Sequence, residues 1–160
     1  MPANSFHLIA HWRVEATIEE VAAILTDAER LPDWWGDVYL DVKITDPGDE
    51  NGIGRTVAIR SRGKLPYELN WTARLVSSKR PHGWVIAATG DLQGRGEWTL
   101  TQNGPTAEIS YDWQVEAEKP ILRLLSPLLK PLFAWNHRWA MAKGLDGLKA
   151  ELKRRRAEGS

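Results

Sequence analysis

Two hydrophobic periodicities divide this chain, and together they leave few folds open. Between Phe6 and Glu116, apart from one interruption, apolar and polar side chains alternate in short runs; beyond Pro131 apolar residues recur at spacings of three and four, with no further proline. A period of two marks a half-buried strand, and a period of 3.6 marks a helix lying on an apolar surface. In the first run Leu8, Ala10, Trp12 and Val14 oppose His7, His11, Arg13 and Glu15. Six further strands are expected over residues 38–46, 55–62, 67–78, 84–89, 94–101 and 107–116, divided by turn-forming pieces such as Asp46-Pro47-Gly48 and Asn103-Gly104-Pro105. Leu69, Trp71, Ala73 and Leu75 share one face of their strand, and Ile109, Tyr111, Trp113 and Val115 share one face of theirs. One face of the sheet is therefore wet and the other covered, as antiparallel pairing allows.

The interruption is helical. Thr17 and Glu20 have the spacing of a capping box, and Ile18, Val21, Ala22 and Leu25 follow as a short amphipathic helix. A second helical turn over residues 27–31 is expected to end near Pro32, before Trp34-Trp35-Gly36 leads back to strand. The last helix is expected to run from Pro131 to about Arg156, with Phe133 or Ala134, His137, Met141, Leu145, Leu148 and Leu152 on its inner stripe. Basic residues from Lys149 to Arg156 crowd its end, where cations suit the helix dipole. The fold class is α+β: a curved antiparallel sheet of about seven strands, two short helices after the first strand, and one long C-terminal helix. Only that helix has enough apolar stripe to cover the sheet, and a concave sheet around one helix leaves a cavity between them.

Composition removes several kinds of chemistry. At 160 residues the chain is expected to form one domain, 1–160. Lys plus Arg and Asp plus Glu are 21 each, so no field holds a polyanion and nucleic acid is not an expected partner. The absence of cysteine excludes disulfides, thiolate nucleophiles and cysteine-based zinc sites. His7 and His11 lie about 13 Å apart on a strand, too far to share an ion, so no metal site is expected. No Gly-x-Ser-x-Gly elbow is present, and Gly52 and Gly54 precede a strand rather than a helix; no nucleotide or other cofactor is expected. The opening residues, Met1 to Ser5, carry neither a basic nor an apolar stretch, from which a cytoplasmic location is expected.

Nine tryptophans point to an aromatic core, a ring-lined cavity, or both. The inward faces offer Trp71, Trp98, Tyr111 and Trp113 from the sheet, and Trp34 or Trp35, His137 and Met141 from the helices, as candidate ligand contacts. His137 is either a hydrogen-bond partner or general base for a ligand, or a buried histidine tied to a strand side chain such as Tyr111. Asn136 lies at the margin of the same stripe. Asp91, in the glycine-rich hairpin 90–96 with Arg95 and Glu97, is either an acid/base group at a cavity mouth or an ordinary turn residue. His137, Asn136 and Asp91 are thus the catalytic candidates. The leucine- and proline-rich segment from Ile121 to Phe133 exceeds what a surface connection needs; it is expected to act as a lid, a membrane contact or a face for a second subunit, leaving monomer and homodimer both open.

The element order, with Leu25-Thr26-Asp27-Ala28-Glu29-Arg30-Leu31-Pro32-Asp33-Trp34-Trp35, the hairpin Gly90-Asp91-Leu92-Gln93-Gly94-Arg95-Gly96-Glu97-Trp98 and the stretch from Pro131 to Met141, resembles the START/Bet v1-like (SRPBCC) superfamily. Within it the chain is similar to bacterial proteins described as polyketide cyclase/dehydrase. The resemblance spans about residues 6–152 and implies the helix-grip fold. It further implies binding of a hydrophobic, cyclic, aromatic or lipid-like small molecule, or alternatively aromatase/cyclase or dehydratase chemistry in the same cavity. In the enzymatic case His137 would take a proton α to a carbonyl while Tyr111 or Asn136 holds the enolate oxygen.

Overall fold

The structure, a computed structural model, describes residues 5–64, 67–118 and 120–159; the side chains at 117, 120–129 and 159 lie outside that description. Seven strands form one antiparallel sheet: β1 (Ser5–Glu15), β2 (Tyr39–Asp46), β3 (Thr56–Arg62), β4 (Glu68–Ser78), β5 (Gly83–Gly90), β6 (Leu92–Asn103) and β7 (Thr106–Ala117). Their spatial order is β1-β7-β6-β5-β4-β3-β2, so five neighbouring pairs follow the chain and β1 closes against β7. The boundaries fall within about two residues of those expected for every strand.

Register decides which side chains meet. Trp98 pairs with Tyr111, Gly96 with Trp113 and Ile59 with Trp71. The inward sets on β4 and β7 are those the alternation predicts, with Trp71, Ala73, Ile109, Tyr111, Trp113 and Val115 buried. Gly96 is required by the ring beside it: a Cβ there would lie 2.6 Å from the Tyr111 hydroxyl and 2.9 Å from a carbon of Trp113. Register shifts in β2 and at Val76 in β4 bend the sheet, as bulges do.

Helix α1 (Ile18–Thr26) opens with the expected capping box, in which Glu20 N–H donates to the Thr17 hydroxyl and Thr17 N–H to the Glu20 carboxylate. A 3₁₀ turn, Ala28–Arg30, leads into α2 (Leu31–Trp34). Pro32 therefore opens a helix instead of ending one. At the first turn its missing N–H is one that a helix leaves unpaired anyway.

The long helix α3 spans Pro120–Gly159 and starts well before the expected Pro131. Pro127 and Pro131 lie inside it. Interior proline costs about 3 kcal/mol, a local preference that a long helix docked through its C-terminal half can absorb. The stripe is phased as expected, with Phe133, Met141, Leu148 and Leu152 buried. The helix-grip fold is thus realised, the sheet's concave face closing on α3 with α1 and α2 at one end.

Candidate functional site

The core is a chain of rings. Trp34 stacks on Trp35 at 5.4 Å, Trp35 meets Trp12 at 5.5 Å, and Trp12 meets Trp98 at 5.6 Å. Trp98 lies 4.1 Å from Tyr111, which stacks on Trp113 at 5.5 Å, and Trp113 reaches Trp71 at 5.5 Å. These rings are not packed solid against α3. They leave two chambers, and Trp35, Tyr39, Trp71 and Tyr111 line both, forming the wall between them.

The first chamber, about 150 Å³, lies between α3 and the inner faces of β1, β3, β4 and β7. Trp113, Leu69, Val115 and Phe133 give it an apolar wall, and Asn136, His137 and Met141 enter from α3. Ser61 is occupied, its hydroxyl accepting from the Trp71 indole N–H at 3.0 Å. His137 is not. Its Nε2 is buried and finds no hydrogen-bond partner among the described residues, Tyr111 included. Burial, with a smaller contribution from the neighbouring Arg138 charge, pushes the imidazole down to about 4. It is therefore neutral at pH 7, with one ring N–H to donate and one ring nitrogen to accept. Burial raises the phenols of Tyr39 and Tyr67 to about 12 and that of Tyr111 well above its ordinary value, so all three remain hydroxyls.

The other sequence candidates separate by what they touch. Asn136 lines the first chamber, but its Oδ1 accepts from the backbone N–H of Lys64 at 2.6 Å and so holds the β3–β4 loop to α3. Asp91 lines neither chamber; its carboxylate accepts from Asn70 N–H at 2.8 Å across the sheet end. Arg95 sits 3.9 Å from Glu97, and Asp112 instead pairs with His7. Trp35, Trp71 and Tyr111 line both chambers, Trp113, His137 and Met141 the first, and Trp98 the second. Trp34, the last residue of α2, lines neither and is buried, its ring stacked on that of Trp35, which follows the helix with a non-helical backbone. Tyr39 and Tyr67 line the first chamber without having been singled out in the sequence; only their place beside aromatic runs hinted at it.

Most of the segment 121–133 lies outside the described side chains. On the residues that follow, Leu132 and Trp135 are exposed, and Lys64 and Lys143 lie over the ring of Trp139. Among the described residues no helix is long and apolar enough to cross a membrane.

A family model described as polyketide cyclase/dehydrase and lipid transport matches residues 9–153. The chain belongs to that family. No curated protein sequence matches it significantly. Among solved structures, a START superfamily protein from Mycobacterium smegmatis superposes with a TM-score of 0.75 at 12% identity, covering 92% of this chain and 97% of its own. The Zhui aromatase/cyclase from Streptomyces sp. R1128 gives 0.72 at 16%, covering 94% and 95%. Norcoclaurine synthase from Thalictrum flavum, in complex with dopamine and hydroxybenzaldehyde, gives 0.58 at 15%, covering 92% and 87%. At these identities the likeness is one of fold.

Proposed function

We propose that the first chamber binds a compact, ring-bearing hydrophobic molecule whose polar substituent meets Nε2 of His137. The observation that carries this reading is a buried imidazole nitrogen without a partner among the described residues, facing a chamber whose other walls are mostly carbon. Buried polar groups are nearly always paired, and a ligand hydroxyl or carbonyl would pair this one. Trp35, Trp71, Tyr111 and Trp113 supply flat faces for a cyclic body.

An aromatase/cyclase or dehydratase reaction is the second reading, supported by the family and by the fold shared with the Zhui aromatase/cyclase. The chemistry of the histidine weighs against it. A general base works best with a pKa near the working pH, and His137 at about 4 is a weak base at pH 7. The neutral ring suits orientation of a guest better than removal of a proton from carbon.

Calorimetric titration with 2-naphthol and naphthalene separates these readings. A binder prefers the phenol, and His137→Ala lowers 2-naphthol affinity about tenfold while naphthalene binding changes little, the value of one buried hydrogen bond. Equal affinity for both compounds in the wild-type protein would refute the role given to His137. Turnover of a poly-β-ketone thioester, lost in His137→Ala, would favour the enzyme.

A further inference from the structure

The second chamber plays no part in that reading. It lies beyond the wall of Trp35, Tyr39, Trp71 and Tyr111, under α1, the 3₁₀ turn and α2, against β3, β4 and β5. At about 290 Å³ it is the larger of the two. Its walls are mostly carbon, with Leu25, Leu31, Ile59, Leu75, Ile86 and Trp84 among them.

Its rim is charged. Arg55 and Arg80, both exposed, line it together with Glu50. The Arg55 Nε donates to the Pro47 carbonyl at 3.2 Å, and the guanidinium lies over Gly52, whose positive φ of 82° favours glycine. Arg13, Arg30 and Arg60 pair with carboxylates, as do Arg154, Arg155 and Arg156 at the end of α3. Arg55 and Arg80 have no carboxylate partner among the described residues, and Glu50 makes an ion pair with neither. Two guanidinium groups without a carboxylate partner among the described residues, above a largely carbon-lined chamber, match a molecule that is apolar along its length and anionic at one end. A guanidinium meets a carboxylate with two parallel N–H bonds, which makes a carboxylate the best-fitting anion.

We propose that this chamber is a second, separate binding site, taking an amphipathic monocarboxylate with its apolar body inside and its carboxylate at Arg55 and Arg80. The site uses different polar residues from the first and does not rest on His137.

Decanoate, titrated into the full-length protein and followed by calorimetry, tests it. Binding is expected to weaken at least tenfold in the double variant Arg55→Ala/Arg80→Ala, both side chains being exposed. Ile86→Phe, which fills the chamber from β5, is expected to weaken it similarly, with circular dichroism confirming the fold. His137→Ala is expected to leave decanoate affinity within about twofold, and the arginine variant to leave 2-naphthol affinity unchanged. No saturable decanoate binding, an unchanged affinity in the arginine variant, or loss of decanoate in His137→Ala would each overturn the second site. Loss of the 2-naphthol preference alone would overturn the first-chamber reading and leave this one standing.

Discussion

The indole N–H of Trp35 donates to the main-chain carbonyl of Ala140 at 2.9 Å, and its ring lies across Gly144 one turn further along α3. Trp12 repeats the bond one residue on, to the Met141 carbonyl at 3.1 Å. A carbonyl has two lone pairs, so both bonds fasten α3 to β1 and α2 while the helix keeps its own ladder. The close approach depends on position 144 having no side chain.

Gly144→Ala measures how much. An added Cβ would lie 2.5 Å from Cε2 and Cζ2 of Trp35 and 2.8 Å from Cζ2 of Trp12, both rigid and buried. Helix propensity favours alanine by about 1 kcal/mol, but overpacking a core costs roughly 1–3 kcal/mol. The net expectation is a lower urea midpoint with an unchanged slope. A raised midpoint would mean that the two rings retreat freely from the helix.

His137 sets a pH dependence of stability. Its folded pKa of about 4 lies below the ordinary 6.5, so between those values the unfolded chain binds more protons than the folded one. Stability is therefore undiminished by this group above about pH 6.5 and declines as pH falls towards 4. At 1.36 kcal/mol per pKa unit the loss is at most on the order of 3 kcal/mol. Urea denaturation at pH 7, 5.5 and 4.5 is expected to show this decline in the wild-type protein and a much shallower one in His137→Leu. Parallel curves for the two proteins would contradict the buried, neutral imidazole.

Asn136 is a fastener for the β3–β4 loop. Its Oδ1 accepts from Lys64 N–H at 2.6 Å, and Gly63 leaves room for it, since a Cβ there would fall 2.2 Å from that oxygen. Asn136→Ala is expected to cost about 1 kcal/mol and to speed hydrogen exchange at the Lys64 amide, whereas Asn136→Asp, which keeps the acceptor, is expected to retain protection. If exchange at Lys64 is the same in all three proteins, the bond does not hold the loop.

Strand content was legible because one face of each strand meets water: Glu68, Asn70, Thr72 and Arg74 alternate with Leu69, Trp71, Ala73 and Leu75, and no other register buries the second set. The inner stripe of α3 was legible for the same reason at another period. The start of α3 was not, since the local bias of Pro127 and Pro131 against helix is overridden by the helix that contains them. The choice between Trp34 and Trp35 depended on where a four-residue helix ends, between the two of them, which no periodicity can reveal. Asn136 found its partner 72 residues away, and the second chamber draws on the first two helices, the 3₁₀ turn and strands β2 to β7; such convergence is a property of packing, not of any one segment.

The basic end of α3 is tied into the fold, and this gives a last test. The Arg156 Nε donates to Glu20 Oε2 at 2.9 Å and its Nη2 to Oε1 at 3.1 Å, so the capping-box carboxylate of α1 also anchors the far end of α3. The Arg156 hydrogen bond, with the Thr17 backbone bond next, draws the Glu20 carboxyl down to about 2. A carboxyl lowered on folding stabilises the protein above its unfolded value of about 4.3, and that contribution fades as pH falls towards 2. In Arg156→Ala the Glu20 carboxyl is expected to titrate much closer to its ordinary value, read by NMR from the side-chain carboxyl carbon. Stability at pH 7 is expected to fall by only about 0.5–1 kcal/mol, because both partners are substantially exposed and water screens the pair. The difference between wild type and variant should shrink as pH falls below about 4 and be lost only as pH passes below about 2, where Glu20 becomes protonated in the wild type as well. An unaltered Glu20 titration in the variant would mean that the contact is not held in solution and that the α3 terminus is free of α1.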